Sequence, residues 1–295
     1  MKRTASGFGR LWRLNRSVII WGAVLIAIAA ISLLAPFFLQ SPTTQDVANR
    51  LNGPSAAHWL GTDDYGRDIL SRVVSAGRVS LAIGASVTFT AVVLGTLIGL
   101  LSGYYAKLSA VLMRLMDALM AFPAIVLAIA LVVSLSSNMG ALSLVIALTV
   151  VFVPQMARVV RSRTIALVER GYVTAARVSG TSNTRIILRH ILPNAFPAIL
   201  VQATVVYASA LLADASLSFL GLGVAPPTPT WGNMIADARP YIASNPISII
   251  VPGLAIVLAV FAFNLLGDSV RAVVDPRSRT ILKLHAVRAL KRKAA

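Results

Sequence analysis

The chain has 295 residues, 57% of them hydrophobic, and a mean hydropathy of +0.80, which excludes a soluble globular domain and indicates an integral membrane protein. Its formal charge of +17 would suggest nucleic acid in a soluble chain, but here the basic residues fall in the gaps between apolar runs, so no nucleic-acid partner is expected. There is no Cys for a disulfide, thiolate metal site or thiol nucleophile, and His58, His190 and His285 are too far apart in sequence to suggest a metal centre.

Runs long enough to cross a bilayer, which takes roughly 20 apolar residues, occur at 18–39, 79–101, 115–135, 142–160, 197–213 and 247–266. Their continuous rather than alternating apolarity predicts helices and not a barrel. The basic n-region and apolar run of residues 1–40 have the look of a signal peptide, but the run is long for that role, and a first span is the reading adopted. Orientation follows from Lys and Arg. Five stand before the first span (Lys2, Arg3, Arg10, Arg13, Arg16) and two in the second gap (Lys107, Arg114). Seven stand in or near the fourth gap (Arg158, Arg161, Arg163, Arg170, Arg177, Arg185, Arg189) and eight after the last span, from Arg271 to Lys293. The positive-inside rule then puts both termini and the 169–193 loop in the cytoplasm.

The first outside loop, 41–78, carries Asp46, Asp63, Asp64 and Asp68 against Arg50, Arg67, Arg72 and Arg78. These acids lack the spacing of a known calcium loop, so local salt bridges and an Asx-turn before a helix are expected, and no metal. In the second span Gly95, Gly99 and Gly103 recur every four residues, which predicts a face for close helix approach. Pro123, Pro154 and Pro252 predict kinks in the third, fourth and sixth spans. Asp117 is expected to pair with Arg114 three residues before it, a spacing that Asp268 and Arg271 repeat. The 169–193 loop reads as two short helices joined at Gly180, the second capped by Thr181/Ser182, with Pro193 where the next membrane helix begins. Its small residues and aliphatic stripe make a docking knob, not a catalytic site. Asp214, about 17 residues into the fifth span, should lie near the outer surface, solvated at the interface or lining a polar passage. The stretch 216–234, rich in Gly and Pro, predicts an irregular outer cap folded back over the bundle, with Trp231 of an interfacial anchor type.

Four stretches together carry a family resemblance: HWLGTDDYGRDILSR (58–72), TAARVSGTSNTRIILRHILPN (174–194), ADASLSFLGLGVAPPTPTWGNM (213–234) and FNLLGDSVRAVVDPRSR (263–279). The chain resembles an inner-membrane permease subunit of an ATP-binding-cassette importer, the C-type subunit of the dipeptide/oligopeptide/nickel family, over nearly its whole length up to Arg279. In the loop, Ala175, Ala176, Gly180, Leu192 and Pro193 match the family pattern, while Thr174 stands where Glu is usual and His190 takes a hydrophobic position. Asp214 occupies the place of a common Glu.

The resemblance implies an all-α membrane protein with six transmembrane helices, the type I ABC importer permease fold and cytoplasmic termini. It divides the chain into a cytoplasmic tail 1–17, a first span 18–40, an extracytoplasmic loop 41–78, a permease core 79–268 with five further spans and a coupling loop 161–193, and a cytoplasmic tail 269–295. It implies a multi-pass subunit of a bacterial inner membrane that forms half of a peptide pathway. Its partners would be a second, homologous permease subunit, two ATPase subunits and an extracytoplasmic substrate-binding protein. The chain would bind no cofactor itself; ATP and Mg would be used by the ATPases, and no GxxxxGK[ST] loop occurs here. A coupling helix at roughly 174–189 would place Thr174, Ala175, Ala176, Gly180, Arg185, His190, Leu192 and Pro193 at the ATPase contact. Asp214, Ser216 and Phe219 are pathway or gate candidates, and Asp63, Asp64, Arg67 and Asp68 belong to the extracytoplasmic loop. A nickel-chelate or other small-solute permease is the alternative. A self-contained secondary transporter would need a midplane ionisable site or inverted repeats, and a membrane enzyme a paired nucleophile and base; the sequence displays neither. The basic stretch 283–295 reads as a solvated inner-surface segment or an anionic-lipid contact.

Overall fold

The computed structural model describes residues 5–274, so the 283–295 stretch and the end of the 263–279 motif lie outside the described residues. The described chain is helical with no strand. The helices are α1 (Ala5–Phe38), α2 (Ile69–Tyr104), α3 (Ala106–Met120), α4 (Ala124–Met139), α5 (Ala141–Val168), α6 (Gly171–Val178), α7 (Asn183–Ile186), α8 (Leu192–Phe219), α9 (Trp231–Ala238) and α10 (Ile247–Val274). Five segments are long and apolar enough to cross a membrane: Arg16–Phe38, Ile69–Tyr104, Ala141–Val168, Asn183–Phe219 and Ile247–Ala272.

The expected third span, 115–135, is not one straight helix. α3 and α4 meet at 92° across a short break, and the pair counts as a sixth span only if taken together. Pro123 caps α4 and is the physical reason: its ring disfavours helical backbone at Phe122, and it has no N–H for the carbonyl one turn back. By contrast Pro154 and Pro252 sit inside unbroken α5 and α10.

α2 starts earlier than the apolar run did, because Asp68 caps it: its carboxylate accepts from the Ser71 N–H at 2.7 Å. At its other end α2 lies along α5, running the same way, since Thr90 bonds Thr149 (2.6 Å) while Gly95, Gly99 and Gly103 sit successively on Met156, Val160 and Thr164. A Cβ at those glycines would stand 2.6, 2.5 and 2.5 Å from the facing side chains, so the four-residue spacing is used for packing within this chain. The core around this seam holds Val87, Ala91, Leu144, Leu148, Phe152 and Ala157. Tyr207 of α8 then ties three helices: its ring stacks on Phe263 of α10 at 3.7 Å and its hydroxyl donates to the Leu81 carbonyl of α2 at 2.8 Å.

Beyond α8 the chain folds back as expected, but Trp231 is no interfacial anchor. It is 2% exposed, its indole N–H donates to the Val73 carbonyl at 2.9 Å, and its backbone N–H to Ser80 Oγ at 3.2 Å. The reason is the α9 start: Thr230 and Asn233 form a capping box that turns the helix, and Trp231 with it, onto α2.

Candidate functional site

The loop between α5 and α8 is built around one apolar anchor. Val173 of α6 is fully buried with Ile186, Ile187 and Ile191, against Leu100 of α2 and Met156 and Val160 of α5. Ala176 packs half-buried against the same cluster, while Thr174 and Ala175 are exposed, Val178 is 84% exposed and Tyr172 43% exposed. α6 is closed off by Gly180, two residues past its last, which has φ +76°. There the Thr181 N–H reaches back to the Ala176 carbonyl and the Gly180 N–H to Arg177, both at 3.1 Å. That pairing is the Schellman closure, for which glycine is the natural residue.

From Asn183 the chain runs as one helical segment to Phe219, so α7 and α8 are continuous through a π-helical turn at Ile187–Ile191. Pro193 therefore does not open a separate membrane helix. It follows the widened turn, in which Leu192 N–H bonds the Ile187 carbonyl five residues back, leaving room for a residue with no N–H. Ser182 occupies the cap position without a side-chain cap bond. Arg185 and Pro193 are exposed, Leu192 and His190 partly buried, and the His190 ring lies 6.4 Å from that of Tyr172. The eight residues expected at the ATPase contact thus share one elbow, on different faces of it.

Sequence reading missed what holds the elbow. The Tyr104 hydroxyl donates to Asn183 Oδ1 at 2.7 Å, and the Arg177 guanidinium lies over the Tyr104 ring at 5.6 Å. The one available signal was an aromatic pair, Tyr104–Tyr105, closing an apolar run. Nearby, Asp117 pairs with Arg158 of α5 at 2.5 Å rather than with Arg114, because the α3–α4 break lays α3 beside α5. Asp268 and Arg271 form no ion pair with each other among the described residues.

At the opposite end of α2 the acids of the 41–78 loop do what their spacing suggested. Asp63 accepts from Arg67 Nε at 2.6 Å and from Arg72 Nε at 3.2 Å, and His58 Nδ1 meets Asp68 at 3.0 Å. Both arginines are buried and also approach Asp237 of α9, at 4.0 and 3.8 Å, a partner that no local pattern could reveal. Burial pushes the Asp64 carboxyl above its ordinary value, helped by the Asp63 charge; burial likewise raises Asp237, against the pull of Arg72 and Arg67.

The three pathway candidates do not converge. Asp214 is 1% exposed, 3.4 Å from Ser218 Oγ, with Oδ2 unpartnered. Interfacial solvation is overturned, because α9 returns onto this end of α8 and Gly232 lies against Ala215 and Ser218. Ser216 faces outward and bonds its own helix at the Leu212 carbonyl, while Phe219 is exposed under Arg239. Among the described residues no group of three or more His, Cys, Asp or Glu is placed to hold a metal ion.

A bundle of long apolar helices with a broken extra span and a short, outward-facing elbow helix is the architecture of a type I ABC importer permease. The inward-facing MetNI methionine ABC transporter matches it with a TM-score of 0.60 over 70% of this chain and 98% of that one, at 23% identity. The chain belongs to the family described as binding-protein-dependent transport system inner membrane component, which matches residues 91–280. It is 41% identical to the dipeptide transport system permease protein DppC of Alkalihalophilus pseudofirmus over 90% of this chain and 88% of that protein. To the glutathione transport system permease protein GsiD of Escherichia coli it is 43% identical, over 86% and 84% respectively.

Proposed function

We propose that this chain is one of two homologous permease subunits in an ATP-driven importer of short peptides in a bacterial inner membrane. α6 is the coupling helix. Its outward residues Tyr172, Thr174, Ala175 and Val178 seat on an ATPase subunit, and its inward anchor, Val173, hands displacement to the bundle. The observation that carries this reading is the split of one eight-residue helix into a buried anchor and an exposed apolar tip. An apolar tip needs a protein groove, and the elbow's basic surroundings support a cytoplasmic position for it. ATP and Mg act on the ATPase pair. A substrate-binding protein delivers peptide at the opposite face, beside the 41–68 loop. Peptide as cargo is supported by relatives about 40% identical over most of the chain, which are named as dipeptide, peptide and glutathione permeases.

Co-expression of the chain with its partner subunits tests the proposal. An ATPase pair should co-purify, and Gly180→Val should keep membrane insertion while lowering peptide import per ATP hydrolysed by about tenfold. Gly180 has open space around it, so the strain comes from its φ of +76°, which costs a β-branched residue about 1–2 kcal/mol and shifts α6 relative to α7. Import at the wild-type ratio in that variant rejects the coupling role.

A further inference from the structure

The elbow has two arms, α6 and α7, and between them only the Gly180 turn, around which nothing lies within 4 Å of a glycine Cβ position. Yet both arms meet one side chain. Tyr104, the last residue of α2, donates its hydroxyl to Asn183 Oδ1 at the start of α7 (2.7 Å) and carries the Arg177 guanidinium of α6 over its ring at 5.6 Å. The ring is held edge-on by Tyr105 at 5.0 Å, and both tyrosines pack on the cluster containing Val173, Ile186 and Ile191. A hydroxyl bond and a cation–π contact on one rigid ring fix the spacing of the arms as well as their distance from α2.

What lies behind Tyr104 gives that fixation a consequence. α2 is an unbroken helix of 36 residues, about 54 Å long at 1.5 Å per residue. Near the elbow it is locked to α5 by Gly99 and Gly103. At its far end Val73 and Ser80 hold Trp231, and Arg72 faces Asp237. Motion of α6 toward α8 alone passes through the π turn, a wide and less regular link. Motion through Tyr104 enters one unbroken helix whose far end packs on α9.

We infer that Tyr104 is a positioning residue that clasps both arms of the elbow to α2, so that displacement of α6 reaches the α9 end of the bundle along α2. This deepens the coupling reading above and rests on it.

The test uses the complete transporter in proteoliposomes with its binding protein, and reads peptide imported per ATP hydrolysed. Tyr104→Phe removes the hydroxyl bond and keeps the ring; Asn183→Ala removes the same bond from the other side. Each is expected to lower the ratio roughly fivefold, the scale of one hydrogen bond, and the double variant to lower it no further. Melting temperature and subunit yield should stay at wild type in Tyr104→Phe. An unchanged ratio in an assembled Tyr104→Phe complex, or losses that add in the double variant, overturns the inference. Reduced yield with an unchanged ratio overturns it too, since that marks Tyr104 as structural only. If Gly180→Val also leaves the ratio unchanged, the coupling role of α6 has failed; if Gly180→Val uncouples and Tyr104→Phe does not, the clasp alone has failed.

Discussion

Asp63, Asp64 and Asp237 crowd three carboxylates around two buried arginines, and the arithmetic of that cluster decides how α9 responds to pH. Asp64 and Asp237 both sit above their ordinary value of 3.8, burial being the larger cause in each. A carboxyl raised in the fold carries a penalty when ionised, fully present above its raised pKa and relieved as pH falls through it toward 3.8. These two groups therefore favour the folded cap as pH is lowered from 7 toward the carboxylate range. Asp237→Asn should melt no lower than wild type at pH 7, and its melting temperature should vary less with pH. A lower melting temperature for the variant at pH 7 would show that the arginine pairs outweigh burial. Half of this cluster was legible beforehand: Asp63 and Arg67 stand four apart, a spacing that pairs locally. Asp237 lies far along the chain, and only the folding-back of α9 brings it near. Asp117 illustrates the same limit, since its neighbour Arg114 lost to Arg158 on another helix.

Elements were legible where a period or a cap wrote them into the chain. Five of the six apolar runs lie in helices long enough to span, and three glycines at four-residue spacing gave the α2–α5 seam. Two of the failures share a cause, namely backbone events at a proline. Pro123 breaks a span rather than bending it, whereas Pro193 is absorbed by a π turn that no residue pattern announces. The glycine seam yields a sharp expectation. A Cβ at Gly99 would lie 2.5 Å from Val160 Cβ and 2.7 Å from the Ala157 carbonyl oxygen, and a carbonyl on a helix cannot rotate aside. Gly99→Ala should therefore cost about 1–3 kcal/mol by overpacking, with a lower melting temperature and poorer yield of the assembled complex. Gly253→Ala in α10, where nothing lies within 4 Å, is the matched control and should melt at or above wild type. Equal melting of the two variants would mean that α2 and α5 are not in tight contact.

At the scale of the whole molecule, the two ends of α2 differ in a way that orientation must explain. The elbow end carries Arg158, Arg161, Arg163, Arg170, Arg177, Arg185 and Arg189, with Asp117 on Arg158, while at the α9 end Arg67 and Arg72 meet Asp63, Asp64 and Asp237. The positive-inside rule counts Lys and Arg, and the larger number of arginines at the elbow end supports the proposal that the elbow faces the cytoplasm and Trp59 the outside. The absence of cysteine makes this directly measurable, because any single introduced thiol is the only one in the chain. Trp59 is 73% exposed and Val178 is 84% exposed, so both positions accept a label without disturbing the core. In intact spheroplasts Trp59→Cys should react with a membrane-impermeant maleimide, and Val178→Cys should react only after the membrane is opened. Adding the ATPase subunits to opened membranes should then slow labelling of Val178→Cys and leave Trp59→Cys unchanged, since the apolar tip of α6 would be covered. Labelling of Val178→Cys in sealed spheroplasts inverts the topology; labelling indifferent to the ATPases moves the docking surface off α6.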